Sequence, residues 1–139
     1  MVGLATRKDL LMPTPPSFKL PDGTKVLGRH IHLDLYDCPE ALLRVPADSE
    51  RILLAAAGAM GATVVGSHFH AFSPHGVSGV VIIAESHLTV HTWPEHGYAA
   101  VDVFSCGALD LDAGIAALRA GYGSGRDVLA GFDRGWVRK

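Results

Sequence analysis

From Leu27 to Tyr36 the sequence reads LGRHIHLDLY, in which Ile31, Leu33 and Leu35 alternate with His30, His32, Asp34 and Tyr36. A period of two places the aliphatic side chains on one face of an extended strand and the polar ones on the other. Such a strand is half-buried, so its apolar face needs a cover. Residues 48–60 supply one: Ile52, Leu53, Ala56 and Met60 recur at helical spacing, with Asp48 or Ser49 as the expected cap and Gly61 as the stop.

Three further strand-like stretches follow: ATVVGSHF from residue 62, VSGVVII from 77 leading into ESHLTVHT from 85, and YAAVDVF from 98. SPHG at 73 and WPEHG at 93 read as turns, since proline fixes a bend and glycine permits the return. A second helix is expected over Leu111, Ile115, Leu118 and Tyr122, capped by Asp110 or Asp112 and ended by glycines at 121, 123 and 125. A last short strand is expected around Val128–Phe132. Helices segregated onto one face of a mainly antiparallel sheet make an α+β two-layer sandwich.

The 139 residues, 48% hydrophobic and 19% charged, suit one compact domain over 26–139. Four of the eight prolines fall between Pro13 and Pro21, so residues 1–25 are expected to form a mobile or loosely docked extension. A formal net charge of -2 gives no chain-wide attraction to nucleic acid or an anionic membrane, and neither partner is expected. No window has the length to span a bilayer, and the first 25 residues lack the apolar core of a signal peptide. Cys38 and Cys106 do not make the pattern of a stapled secreted domain, so a cytoplasmic location is expected.

Polar residues of chemical interest are densest between Ser78 and Cys106: Ser78, Glu85, Ser86, His87, His91, Glu95 and Cys106. Six of the eight histidines lie between His68 and His96, which raises a metal site on His68, His70 and His75. Three ligands need convergent geometry and a second shell to fix each ring. The sequence displays neither, so these histidines read as the polar faces of strands and no metal is expected.

The string VVIIAESHLTVHTWPEHGYAAVDVFSCG, with LGRH at 27, GATVV at 61 and FSPHGVSG at 72 in order ahead of it, closely resembles the processing and active-site region of prokaryotic S-adenosylmethionine decarboxylases. The likeness covers about residues 27–107. It implies a proenzyme that cuts its own backbone between Glu85 and Ser86, giving fragments 1–85 and 86–139, with Ser86 becoming a covalent pyruvoyl group that forms a Schiff base with the substrate amine. By the same resemblance His91 is the processing base, Ser78 helps hold or polarise the reacting carbonyl, and Cys106 returns a proton to the substrate α-carbon. Phe72 would stack on adenine and Glu95 would accept from the ribose hydroxyls, with Trp93 lining the pocket. The product would be the aminopropyl donor for spermidine.

Taken singly, each residue has a plainer reading: Phe72 as edge-strand core, Glu95 as a surface carboxylate, Cys106 as a small apolar filler. A same-fold decarboxylase of arginine or ornithine is the alternative substrate reading, since Glu95 could also pair with a guanidinium. A dead homologue would be expected to lack Ser86 or Cys106, and both are present.

Strand geometry adds one expectation. If residues 86–91 are extended, five steps of about 3.3 Å put His91 roughly 16 Å from Ser86 and on the opposite face. The base must then come from a second copy, so a homodimer with two shared sites is expected, in agreement with the family's dimeric fold.

Overall fold

A computed structural model describes residues 22–138. They form a six-stranded antiparallel sheet with two helices: β1 (Thr24–Tyr36), α1 (Pro46–Ala59), β2 (Val64–Ala71), β3 (Val77–Ile83), β4 (Ser86–Trp93), β5 (Tyr98–Ser105), α2 (Leu111–Tyr122) and β6 (Arg126–Arg138). The strand order is β2-β3-β4-β5-β1-β6, and each neighbouring pair runs antiparallel. This is the expected two-layer α+β sandwich.

The alternation in β1 is what orients the sheet. Ile31, Leu33 and Leu35 are buried together with Val101 and Val103 of β5, Leu88 and Val90 of β4, and Ile52, Leu53 and Leu118 of the helices. Each fully buried aliphatic side chain contributes roughly 1.5–3 kcal/mol relative to exposure. The opposite face, bearing His30, His32, Tyr36, His87, His91, Trp93, Phe104 and Asp102, has no helix over it among the described residues.

Several boundaries differ from expectation. Helix α1 starts at Pro46, a residue suited to the first helical position, with Val45 ahead of it and no side-chain cap. Ser49 is therefore not a cap: it is buried and accepts a 2.8 Å hydrogen bond from Tyr122 Oη, tying α1 to α2. Asp110 does cap α2, accepting from the Ala113 amide at 3.1 Å, and Gly123 ends it at φ 61°. Gly121 sits inside the helix, close against Ile52.

Strand β6 is 13 residues long, well beyond the short strand expected at 128–132. Its glycines and charges hid it, yet Phe132 pairs with His30 and Arg134 with Gly28 along β1. Of the expected extension, residues 1–21 lie outside the described residues, while Thr24 and Lys25 already belong to β1.

Candidate active site

Strand β4 is the spine of the site. It runs unbroken from Ser86, paired with Ile83 and Ser105, to His91, paired with Ser78 and Ala100, and on to Trp93. At about 3.3 Å per residue, Ser86 and His91 stand roughly 16 Å apart. Within one chain the expected residues therefore fall into two groups, one at each end of β4.

At the first end, Ser86 has φ 137°. Asp37, at φ 56°, is the other non-glycine residue with positive φ among the described residues. Such backbone costs on the order of 1–3 kcal/mol and persists only where neighbours enforce it. They do so here through the main chain. The Cys106 amide donates to the Glu85 carbonyl oxygen at 2.8 Å, the very carbonyl of the Glu85–Ser86 peptide. The Ser105 hydroxyl, buried beneath, accepts from the Gly107 amide at 3.2 Å and so sets the turn that presents Cys106. The Cys106 residue is itself exposed and its thiol is free.

At the second end, Ser78 Oγ and His91 Nδ1 are 2.7 Å apart across the β3–β4 pair. They line an open cavity of about 340 Å³ shared with Phe72, His75, Trp93 and Glu95. Thr92 fixes its floor, accepting from the Val77 amide at 2.9 Å and donating to the Leu43 carbonyl at 2.7 Å. Phe72 is 51% exposed, so it is no edge-strand core residue; its ring meets His70 edge-on at 4.7 Å. Trp93 stacks on Tyr98 at 5.2 Å, and Tyr98 on Tyr36 at 5.1 Å.

Glu95 is paired with His75, Nε2 to Oε2 at 2.9 Å. A hydrogen bond from its own backbone amide, and then the His75 imidazole, hold the Glu95 carboxyl below the usual carboxylate range. Sequence reasoning had placed His75 in a turn and missed it as a partner of Glu95, because a pairing across the turns at 73 and 93 has no signature along the chain.

The histidines do not converge as the metal reading required. His68 and His70 lie exposed on β2, and His75 is engaged with Glu95. Among the described residues the compact set of possible ligands is His30, His32 and Asp102. His30 and His32 each place Nε2 at 3.7 Å from Asp102 Oδ1. Arg134 lies 3.1 Å from His30 Nδ1 and can only donate, so a neutral His30 carries its proton on Nε2, where a metal would have to bind. Burial, and then His32, push the His30 pKa below its usual value. That arrangement is a hydrogen-bonding cluster of the uncovered face rather than a preformed metal centre.

Comparison with known proteins agrees with this geometry. The family described as S-adenosylmethionine decarboxylase matches residues 29–135. An S-adenosylmethionine decarboxylase proenzyme of Pseudomonas paraeruginosa (strain DSM 24068 / PA7) is 47% identical over 115 residues, covering 82% of this chain and 72% of that protein. One from Thermosipho melanesiensis (strain DSM 12029 / CIP 104789 / BI429) is 58% identical over 83 residues, covering 60% of this chain and 64% of that protein. The crystal structure of the adenosylmethionine decarboxylase from Aquifex aeolicus VF5 superposes with a TM-score of 0.76 at 36% identity, covering 83% of this chain and 96% of that one.

Proposed function

This chain belongs to the S-adenosylmethionine decarboxylase family of carboxy-lyases, and from that premise we propose that it is a proenzyme that cleaves itself between Glu85 and Ser86 and then decarboxylates S-adenosylmethionine. The observation that carries the reading is the state of that one peptide: a serine held at φ 137° whose preceding carbonyl already accepts a backbone hydrogen bond from Cys106.

Ser86 Oγ attacks the Glu85 carbonyl carbon. The Cys106 amide stabilises the oxygen as it gains charge, as an oxyanion hole would. Breaking the carbon–nitrogen bond leaves an ester and a free Ser86 amine, and relieves the backbone strain. His91, its ring fixed by Ser78, takes the Ser86 α-proton. Elimination then releases residues 1–85 with a new carboxylate and leaves dehydroalanine, whose imine tautomer adds water and loses ammonia to give pyruvoyl.

The local chain fits such a group: it follows a held carbonyl, at a strand end, beside an exposed thiol. A pyruvoyl carbonyl supplies the electron sink that α-decarboxylation of an amino acid needs. The Cys106 thiol then delivers the proton to the substrate α-carbon. The product would serve as an aminopropyl donor for spermidine.

The two ends of β4 meet only if two copies pair with their uncovered faces together, bringing Ser86 of one to His91, Phe72, Trp93 and Glu95 of the other. In support of a homodimer, the uncovered face exposes Ile82, Trp93, Phe132 and Trp136, an apolar patch that pairing would bury. In the cavity, Phe72 and Trp93 offer aromatic faces to adenine and Glu95 offers oxygens to ribose. For arginine or ornithine the acceptor would be Glu95, but His75 already occupies one of its oxygens.

Among the described residues no helix is long and apolar enough to cross a membrane, and both cysteines are free; we place the enzyme in the cytoplasm. Intact mass under denaturing conditions tests the reading. Wild type should give fragments 1–85 and 86–139, the latter lacking an amino terminus, and S86A should stay whole. Continued cleavage in S86A would end the mechanism. Release of carbon dioxide from carboxyl-labelled S-adenosylmethionine, and not from arginine or ornithine, would fix the substrate.

A further inference from the structure

We infer that the Glu85 side chain, beyond lending its carbonyl to the reaction, is a positioning residue for self-cleavage: its carboxylate anchors the scissile peptide to the segment that enters β2. The inference rests on the self-processing reading above. Its starting point is mechanical. Only Ala84 and Glu85 separate the last residue of β3 from Ser86, so this turn alone transmits force to the strained serine from the amino-terminal side.

Three contacts pin the turn. The Ala84 amide donates to the Thr63 carbonyl at 2.8 Å. In return the Thr63 amide donates to the Glu85 carboxylate, lying 3.2 Å from Oε1 and 3.3 Å from Oε2. The Cys106 amide holds the Glu85 carbonyl. Glu85 is thus gripped at both ends, its side chain by Thr63 and its main chain by Cys106. A carboxylate accepting from a backbone N–H makes a stronger bond than a neutral acceptor does.

Gly107 completes the seat. A Cβ at position 107 would lie 2.9 Å from Glu85 Cγ and 3.4 Å from its Cβ. Those atoms are the stem of the side chain near the backbone, which has little freedom to move aside. Glycine at this position lets the Glu85 stem lie against the Cys106–Gly107 turn without lifting its carbonyl off the Cys106 amide. Without the carboxylate anchor the turn can rotate, Ser86 can fall back to negative φ, and the carbonyl leaves the donor that activates it.

The experiment separates this step from folding and from later chemistry. In an H91A background, where the proposed α-proton removal is blocked, the acyl shift is read as formation of a hydroxylamine-sensitive ester at Glu85–Ser86, with melting temperature measured in parallel. Adding E85A should slow ester formation about tenfold or more. E85Q, which keeps one acceptor oxygen at the same reach, should recover to within about threefold of the parent at a similar melting temperature. G107A should slow it as well while leaving the carboxylate in place. Equal rates in E85A and E85Q, or losses that track melting temperature alone, would overturn the inference. Should the H91A parent form no ester while wild type still cleaves, the role of His91 falls; a wild-type chain that never cleaves overturns self-processing, and this inference with it.

Discussion

The two ends of strand β4 are built on different principles. At Ser86 the reacting peptide is held by main-chain donors, the amides of Cys106 and Thr63. At His91 the cavity is held by side chains, Ser78 on His91 and His75 on Glu95. A backbone donor survives most substitutions of the residue that carries it, whereas a side-chain contact is lost with the residue. The cleavage end should therefore tolerate changes that the cavity end does not, and one residue, Cys106, should show two separable roles.

The largest effect should come from separating the two ends onto different chains. S86A and H91A alone should each fail to mature, S86A for want of a nucleophile and H91A for want of a base. Mixed dimers of the two unite an intact Ser86 with an intact His91 at one of their two sites. Co-expression should then restore cleavage to the chains that carry Ser86, seen by mass spectrometry as fragment 86–139 bearing the H91A mass. Absence of that fragment in purified mixed dimers would mean that each chain completes its own site and that β4 does not divide the labour.

The layer architecture was legible because alternation in β1 and helical spacing in α1 and α2 follow directly from which side chains must leave water. What the sequence hid are contacts that depend on register. Nothing along the chain says that the Cys106 amide meets Glu85 or that His32 faces Asp102; both follow from β1 and β4 each pairing with β5. Ser49 was misread for a related reason. A serine near a helix start ordinarily caps it, but Pro46 already begins this helix three residues earlier, which turns Ser49 inward to meet Tyr122. Chemical residues were found as types in a motif; their partners, His75, Thr63 and Gly107, required the fold.

A smaller effect sharpens the contrast within Cys106. Alanine keeps the backbone amide and removes only the thiol. C106A should therefore cleave at near the wild-type rate, yet its turnover should fall by about 10²–10⁴, the usual contribution of a placed general acid. Fragment yield and carbon dioxide release, measured on one preparation, check both halves. A C106A chain that turns over normally would reassign the proton donor. One that fails to cleave would show that the thiol, and not the amide, acts on the peptide.

The smallest effect belongs to the cavity end. His75 does not touch the reacting peptide; it holds Glu95, so H75A should raise the KM for S-adenosylmethionine by about 5–20-fold, roughly 1–2 kcal/mol at RT ln of that ratio, with kcat within about twofold of wild type. The pH profile distinguishes positioning from mere packing. Because the Glu95 carboxyl is held below its ordinary range, first by its own backbone amide and then by His75, it stays ionised as pH falls past the usual carboxylate value and loses its charge only below that. Removing His75 takes away one of the two causes, so the acid limb of kcat/KM should move to higher pH in H75A, and H75Q, which can still donate to the carboxylate, should move it part of the way back. A rise in KM with an unmoved acid limb would mean that His75 shapes the cavity wall without orienting Glu95. Side-chain control of this end would then rest on Ser78 and His91 alone.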